Sequence, residues 1–322
     1  MMQRQDLQIR PFEPASDIPA LLGLIKAVEQ VDQTGQDSSE ESLRAEFEWI
    51  GHEPQSDRWV AVKAGDEDHL LGHAWTLSQT PVRSILHIAV LPAVRRQGIG
   101  SALLRAVVDR IAAKGARQAV SVVEIDNMAA SAFLHKSGFE IAGYNRFFTA
   151  DAAVKLPPPH WPAGYRALSL SQFQDLAYFV EAANACYSTM WGHTQNTKPS
   201  TIEEYQESMA QYPAYFNPNG MFVVFDERDN VCGLCLGNLE QEGQEGHQAK
   251  IIDSPAIVPG RRLDELLPPL VLACMHWLNT LSDGEFRIET WGDSETAVSV
   301  YNDLGFTLLP HGLEAEFLLE LD

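Results

Sequence analysis

Three groups of side chains in this 322-residue chain have the types and spacing that chemistry requires. The first is the run Arg95-Arg96-Gln97-Gly98-Ile99-Gly100-Ser101. Its glycines let the backbone turn tightly and bring N–H groups close to a ligand. Beyond them Ile99, Leu103, Val107 and Ile111 fall four apart and Gly115 ends the pattern, which predicts a helix opening at the glycines. Ahead of them Ile85 to Leu91 is a short apolar run stopped by Pro92, which predicts a buried strand. A strand that feeds a glycine bend and a helix N-terminus presents unpartnered N–H groups at the positive end of a dipole. That suits a phosphate or pyrophosphate. The spacing is not a Walker A loop, since no Gly-Lys-Ser/Thr follows, and Leu103 breaks the dinucleotide pattern Gly-x-Gly-x-x-Gly.

The second group holds candidate proton carriers. His87 sits in the middle of the predicted strand, and an unperturbed imidazole titrates near 6.5. A strand histidine bonded to a carbonyl or facing solvent is the plainer alternative. Glu124 lies near the end of the strand-like stretch Gln118 to Ile125, where it either faces the ligand groove or simply meets water. The third group is Cys232-x-x-Cys235, half of a zinc or redox motif with no second pair at a suitable distance. In a strand, residues three apart point to opposite faces, so ordinary buried thiols and no metal are expected.

Composition sets outer bounds. The hydrophobic share is 45% and the net charge is −21, carried unevenly. Residues 1–150 hold 15 Lys and Arg against 19 Asp and Glu, whereas residues 151–322 hold 8 against 25. The second half repels nucleic acid and any polyanionic ligand, while the first tolerates one. Acidity serves solubility; the functional alternative is attraction of a cationic amine. Only four cysteines occur, and no apolar run is long enough to span a bilayer. A cytoplasmic protein with no membrane partner is expected, its oligomeric state open.

These residues must be held by folded elements. The pattern predicts a strand at Leu7 to Phe12, a helix opening at Ser16-Asp17, and a second helix behind the capping-box spacing Ser38 to Glu41. Strands Trp59 to Lys63 and His69 to Ser78 follow, then the glycine-loop unit, Gln118 to Ile125, a helix from Asn127 to Ser137 and a strand after Gly138. Pro157-Pro158-Pro159 marks a semi-rigid spacer across residues 151–163. Beyond it the pattern repeats. With a constant shift of 167, Ala256-Ile-Val-Pro259 falls on Ala89-Val-Leu-Pro92 and Gly305-Phe306 on Gly138-Phe139. The same shift replaces Gly98 by Glu265, Gly100 by Leu267, and Ser101 and Ala102 by Pro268 and Pro269. Prolines have no N–H to give and the carboxylate repels an anion, so the halves are expected to be unequal.

Arg-x-x-Gly-x-Gly behind a strand ending in Val-Leu-Pro resembles the acetyl-CoA loop of the GNAT superfamily of N-acetyltransferases. Asn127-x-x-Ala130-x-x-Phe133-Leu134-x-x-x-Gly138-Phe139 resembles that family's following helix. The resemblance implies an α/β fold with a mixed sheet, as two tandem GNAT-like domains: residues 1–150, acetyl-CoA-binding and catalytic, and residues 164–322, degenerate. It implies that main-chain groups of Ala89 and Val90 pair with the pantetheine arm. Backbone amides from Gln97 through Gly98, Ile99, Gly100 and Ser101 would hold the pyrophosphate, with Arg95 or Arg96 as countercharge. Asn127 would reach the pantetheine amides, or act as an N-cap, and Phe133 would pack beside it. The family's acid tyrosine is Leu134 in the first half and Tyr301 in the second, and its usual glutamate base is Ser84. The expected reaction is direct acetyl transfer from acetyl-CoA to the amine of a small molecule, with His87 and Glu124 as candidate bases. The alternative is an acyl-CoA-binding sensor without turnover.

Overall fold

The computed structural model describes residues 7–35, 37–49, 51–188, 199–242, 247–291 and 294–321. It contains two compact units: Met1–Ala142 with Glu316–Asp322, and Gly143–Ala315. The division falls before residue 150 and away from the proline-rich segment, and the end of the chain belongs to the first unit.

In the first unit the order is β1 (Leu7–Pro11), α1 (Pro14–Asp32), α2 (Glu40–Phe47), α3 (Pro54–Asp57), β2 (Arg58–Lys63), β3 (Asp66–Thr80) and β4 (Arg83–Val90). A 3₁₀ turn (Pro92–Val94), α4 (Ile99–Ala113), β5 (Gln118–Glu124), α5 (Met128–Lys136) and the start of β6 (Glu140–Ala150) complete it. Strands β1 to β4 are antiparallel neighbours, and β5 runs parallel to β4. Apolar residues four apart bury one side of α4, and Ile99, Leu103, Val107 and Ile111 are all 1% exposed or less. A Cβ on Gly72 of β3 would lie 2.9 Å from Leu103 and 3.2 Å from Ile99, so the absent side chain is what lets α4 lie this close. The other sheet face packs Phe12, Leu21, Leu24, Ile25 and Leu43 against Val60, Val62, Leu70 and Ala89.

The last strand, β12 (Thr307–Glu320), supplies its final residues to this unit. Leu321 N–H donates to the Arg117 carbonyl at 2.7 Å, Gln118 Nε2 donates to Glu320 at 3.0 Å, and buried Arg83 pairs with buried Glu316. Burial pushes the Glu316 carboxyl up to about 7 against the pull of Arg83.

The second unit contains β6 from Gly143 onward, β7 (Arg166–Ser169), α6 (Leu170–Phe173), α7 (Leu176–Cys186), α8 (Ile202–Gln211), β8 (Met221–Phe225), β9 (Val231–Glu242) and β10 (His247–Ile257). It continues through α9 (Leu263–Leu278), β11 (Phe286–Trp291), α10 (Glu295–Asp303) and β12 as far as Ala315. Its strand order is β7-β8-β9-β10-β11-β6. Thus β6, expected to close the first half, pairs antiparallel with β11 instead. The proline-rich segment is not a free spacer: Val154, Leu156 and Trp161 pack on the core of this unit, and His276 Nε2 lies 3.0 Å from the Pro157 carbonyl.

Local details differ from expectation for physical reasons. Pro14 starts α1 early, with Asp17 accepting the Glu13 N–H. The capping site expected at Ser38 moves one residue on, to Ser39, because the neighbouring serine offers an equally good cap, and α8 is capped by Thr201 with Glu204. The four cysteines are free and buried. A register shift at the start of β9 places Cys232 and Cys235 in one core cluster rather than on opposite faces. Among the described residues no helix is long and apolar enough to cross a membrane.

Candidate functional site

Strands β4 and β5 begin side by side and then part. Their pairing runs from Arg83↔Gln118 to Ile85↔Val120, after which β4 continues to Val90 and β5 to Glu124 without it. Leu91 N–H donates to the Leu71 carbonyl on β3. Alternation along the strand therefore points Val90 N–H and C=O to the opposite edge, into the opening toward β5, and points those of Ala89 to β3. Of the two residues expected to pair with a pantetheine arm, Val90 alone turns its main chain that way. Its carbonyl is already taken by Arg95 Nε at 3.0 Å, which leaves the N–H.

Below this opening the glycine bend leads into α4. Arg96 holds φ 64° and Gly98 φ 89°, both left-handed. For arginine that conformation costs about 1–2 kcal/mol, the kind of local strain that collects at ligand sites. The first bond inside the helix is Ala102 N–H to the Gly98 carbonyl at 3.1 Å. The N–H groups of Ile99, Gly100 and Ser101 thus have no partner within the helix, and Gly98 as N-cap has no side chain to offer them. By contrast, α2, α5, α7, α8 and α10 are capped by Ser39, Asn127, Asp175, Thr201 and Ser294. A Cβ at Gly98 would meet nothing within 4 Å, whereas one at Gly100 would lie 3.6 Å from the Phe133 ring and 3.7 Å from Val90 Cγ2. Phe133 and Val90 therefore flank the helix start, and Gln97 is half-buried beside it. This donor set, with its open approach at Gly98, fits a diphosphate.

The two arginines divide their roles. Arg95 makes two bonds to Asp32 at the end of α1, of 2.8 and 2.7 Å, so its charge is neutralised within the protein. Arg96 is exposed, and only it remains available as a countercharge. Asn127 caps α5, its Oδ1 accepting Ala130 N–H at 3.1 Å, which leaves its amide nitrogen for a ligand. Leu134, at the family's tyrosine position, is 3% exposed in the core. Glu124 is half-buried where β5 ends.

His87 points to the sheet face that carries Ala89, opposite α4. Its ring stacks on Trp75, its cross-strand partner, with centroids 5.7 Å apart, and Trp75 meets Trp49 edge-on at 5.4 Å. His87 Nδ1 is enclosed without a hydrogen-bond partner among the described residues. Burial, reinforced by the nearby Arg58 charge, lowers its pKa to about 4, so the ring is neutral at pH 7. Next to it, His73 is held well below its usual range by burial and by Arg58. Arg58 is fully buried, donating to His52 Nε2 at 2.8 Å and to Glu46 at 2.7 Å. No sequence pattern announces this aromatic and imidazole cluster, since its members come from residues 49 to 87 on separate elements.

The corresponding bend of the second unit is built differently. Its helix α9 starts at Leu263, a turn earlier than the shift of 167 implies, so Pro268 and Pro269 lie in the second turn and not the first. The first turn instead carries Asp264 and Glu265, with Glu265 paired to Arg262 at 2.9 Å. Its positive end is neutralised from within. Tyr301 is fully buried, its ring against Phe148 at 5.5 Å.

A parting strand pair, an uncapped glycine bend and an asparagine-capped helix behind it make up the site. Residues 25–139, a part of the first unit, match the acetyltransferase (GNAT) family. In fold it is similar to a GCN5-related N-acetyltransferase from Sphaerobacter thermophilus, with a TM-score of 0.74 at 18% identity, covering 99% of this chain and 97% of that one. It is similar also to a tandem GNAT protein from the clavulanic acid biosynthesis pathway, with a TM-score of 0.60 at 15% identity over 98% of both chains. In sequence it is 24% identical over 229 residues to the mycothiol acetyltransferase of Renibacterium salmoninarum, covering 70% of this chain and 65% of that protein.

Proposed function

We propose that the protein is an acetyl-CoA-dependent N-acetyltransferase that modifies the amine of a small molecule, with the first unit holding the cofactor. The observation that carries this reading is the uncapped start of α4 directly below the gap between β4 and β5. When bound, acetyl-CoA supplies the acetyl group as a thioester. The N–H groups of Ile99, Gly100 and Ser101 would hold its diphosphate, with Arg96 as countercharge. Val90 N–H would donate to the thioester carbonyl oxygen and stabilise the negative charge that develops there. His87, neutral with an enclosed Nδ1 that has no hydrogen-bond partner among the described residues, and Glu124 are the groups proposed to take the proton from the attacking amine. The donor N–H groups lie on the α4 side of the strands and His87 on the other, so the cofactor would be held on the α4 side and the amine would approach from the Trp75 face.

The similarity to a mycothiol acetyltransferase supports a small-molecule acceptor, and at 24% identity leaves its structure to experiment. The test is calorimetric titration with acetyl-CoA, followed by a panel of amines assayed for released CoA thiol. One site per chain, lost in Gly98→Glu, with amine-dependent thiol release, is the expected result. Binding without release for any amine makes the protein an acyl-CoA sensor instead, and absence of binding removes both readings.

A further inference from the structure

The second unit has a cavity of about 290 Å³ that the proposed acetyl transfer does not use. It is lined by Tyr187, Tyr205, Tyr215, Phe216, Leu236 and Asp253. Tyr187 caps the end of α7, and Tyr205 lies on α8. Behind α8 a turn closed by the Tyr215 and Phe216 N–H groups on the Tyr212 carbonyl sets the rings of Tyr215 and Phe216 edge to face, with centroids 4.8 Å apart. Tyr205 meets Phe216 edge-on at 6.2 Å. The floor is sheet: Leu236 of β9 and Asp253 of β10 are cross-strand partners and share a face.

Asp253 sits where β10 bulges. The register shifts between Asp253 and Ala256, and Ser254 holds φ 38°, a left-handed conformation unfavourable for serine. The bulge is pinned by neutral groups. Tyr187 OH donates to the Ser254 carbonyl at 3.0 Å, Ser254 Oγ donates to Asp253 Oδ1 at 2.8 Å, and Tyr215 OH donates to Asp253 Oδ2. Each carboxylate oxygen keeps a further lone pair, and among the described residues no Lys, Arg or His lines the cavity. Two more carboxylates, Glu289 and Glu240, crowd the same sheet face. Burial and their mutual repulsion push Glu289 up to about 7, and Asp253 is raised as well. Arg287, the base nearest along β11, is engaged by Glu285 at 2.9 Å. Glu204, at the rim, accepts the Thr201 N–H as part of the α8 cap.

A half-buried carboxylate without a counter-ion among the described residues, walled by electron-rich ring faces, has the complement of an organic cation. We propose that this cavity is a binding site for a small alkylammonium ion, with Asp253 as its countercharge and Tyr187, Tyr205, Tyr215 and Phe216 as its walls. The volume, at the low end for ligand pockets, selects an amine of a few carbons over a peptide. The strongly acidic second half of the chain draws such ions in. This site does not depend on acetyl transfer, and it is read in the absence of any CoA.

The experiment is calorimetry on the full chain with n-butylammonium and tetramethylammonium chloride, against butyrate and tert-butanol as charge-reversed and neutral controls. Both cations should bind at one mutually exclusive site, and the controls should give no saturable heat up to about 10 mM, far above the range of a specific pocket. Asp253→Asn should weaken both cations at least about tenfold, and Phe216→Leu roughly three- to tenfold, with more loss for tetramethylammonium. If Asp253→Asn fails to fold by circular dichroism, Phe216→Leu decides. Equal binding of tert-butanol, absence of cation binding, or wild-type affinity in the folded variants would overturn the assignment.

Discussion

Arg95 and Asp32 lie 63 residues apart and meet through two parallel bonds of 2.8 and 2.7 Å, while Arg95 Nε holds the Val90 carbonyl. One guanidinium thus fixes the end of α1, the end of β4 and the entry to the glycine bend relative to one another. Asp32→Ala should leave the fold intact and raise the acetyl-CoA dissociation constant roughly fivefold, the ~1 kcal/mol typical of a partly exposed pair. Turnover at saturating cofactor should change less than about twofold, because the effect is on ground-state binding. Steady-state kinetics with a responsive amine measures both.

Gly98 separates strain from charge. A Cβ there meets nothing, so Gly98→Ala costs only the left-handed backbone, about 1–2 kcal/mol, and should weaken acetyl-CoA by about tenfold at most. Gly98→Glu adds a carboxylate at the mouth of the donor set, as the second half has at 265, and should abolish measurable binding. Equal effects of the two substitutions in calorimetry would mean that geometry, not electrostatics, governs the bend.

His87 gives a pH signature. Its folded pKa, about 4, lies below the roughly 6.5 of an exposed imidazole. As pH falls through 6.5 the unfolded chain takes up the proton first. Stability is therefore complete above that pH and declines from about 6.5 down to about 4. Urea unfolding at pH 7, 5.5 and 4.5 should show this acid-side loss, and His87→Gln should reduce its slope while leaving that of His73. If His87 accepts the amine proton, its own limb in kcat/KM falls near pH 4 and not near 6.5.

Glu316→Ala leaves Arg83 buried without its carboxylate, a change worth about 3–5 kcal/mol of destabilisation. Acetyl-CoA binding capacity should fall with it, since the first unit contains both the bend and this pair. Arg83→Met with Glu316→Leu should recover most of the urea midpoint. Failure of the double substitution to recover would indicate that Arg83 is needed for more than charge pairing.

The glycine bend, α4 and the Asn127 cap were readable from sequence because each is set by neighbours within a few residues: glycines, a four-residue apolar period, an oxygen-bearing cap. The unequal halves were readable for the same reason, although the start of α9 was not. Leu263 could extend the helix back by a turn, and nothing local forbade it. Long-range partnerships left no such trace. Asp32 removes Arg95 from the set of free charges, Trp75 covers His87, and Glu316 returns to Arg83 across 233 residues. The wall around Asp253 depends on a bulge at Ser254, which follows from how β9 and β10 register and not from a residue type.

The course of β12 has a consequence for biosynthesis. The first unit contains residues 316–321, so the half that is translated first lacks its partner strand beside β5 until those residues have left the ribosome. Arg83 waits in that interval without its carboxylate, and the rim of β5 stands open to any passing strand. Maturation of the earlier half is thereby tied to release of the later one, and chains arrested before residue 316 should be the ones that chaperones retain.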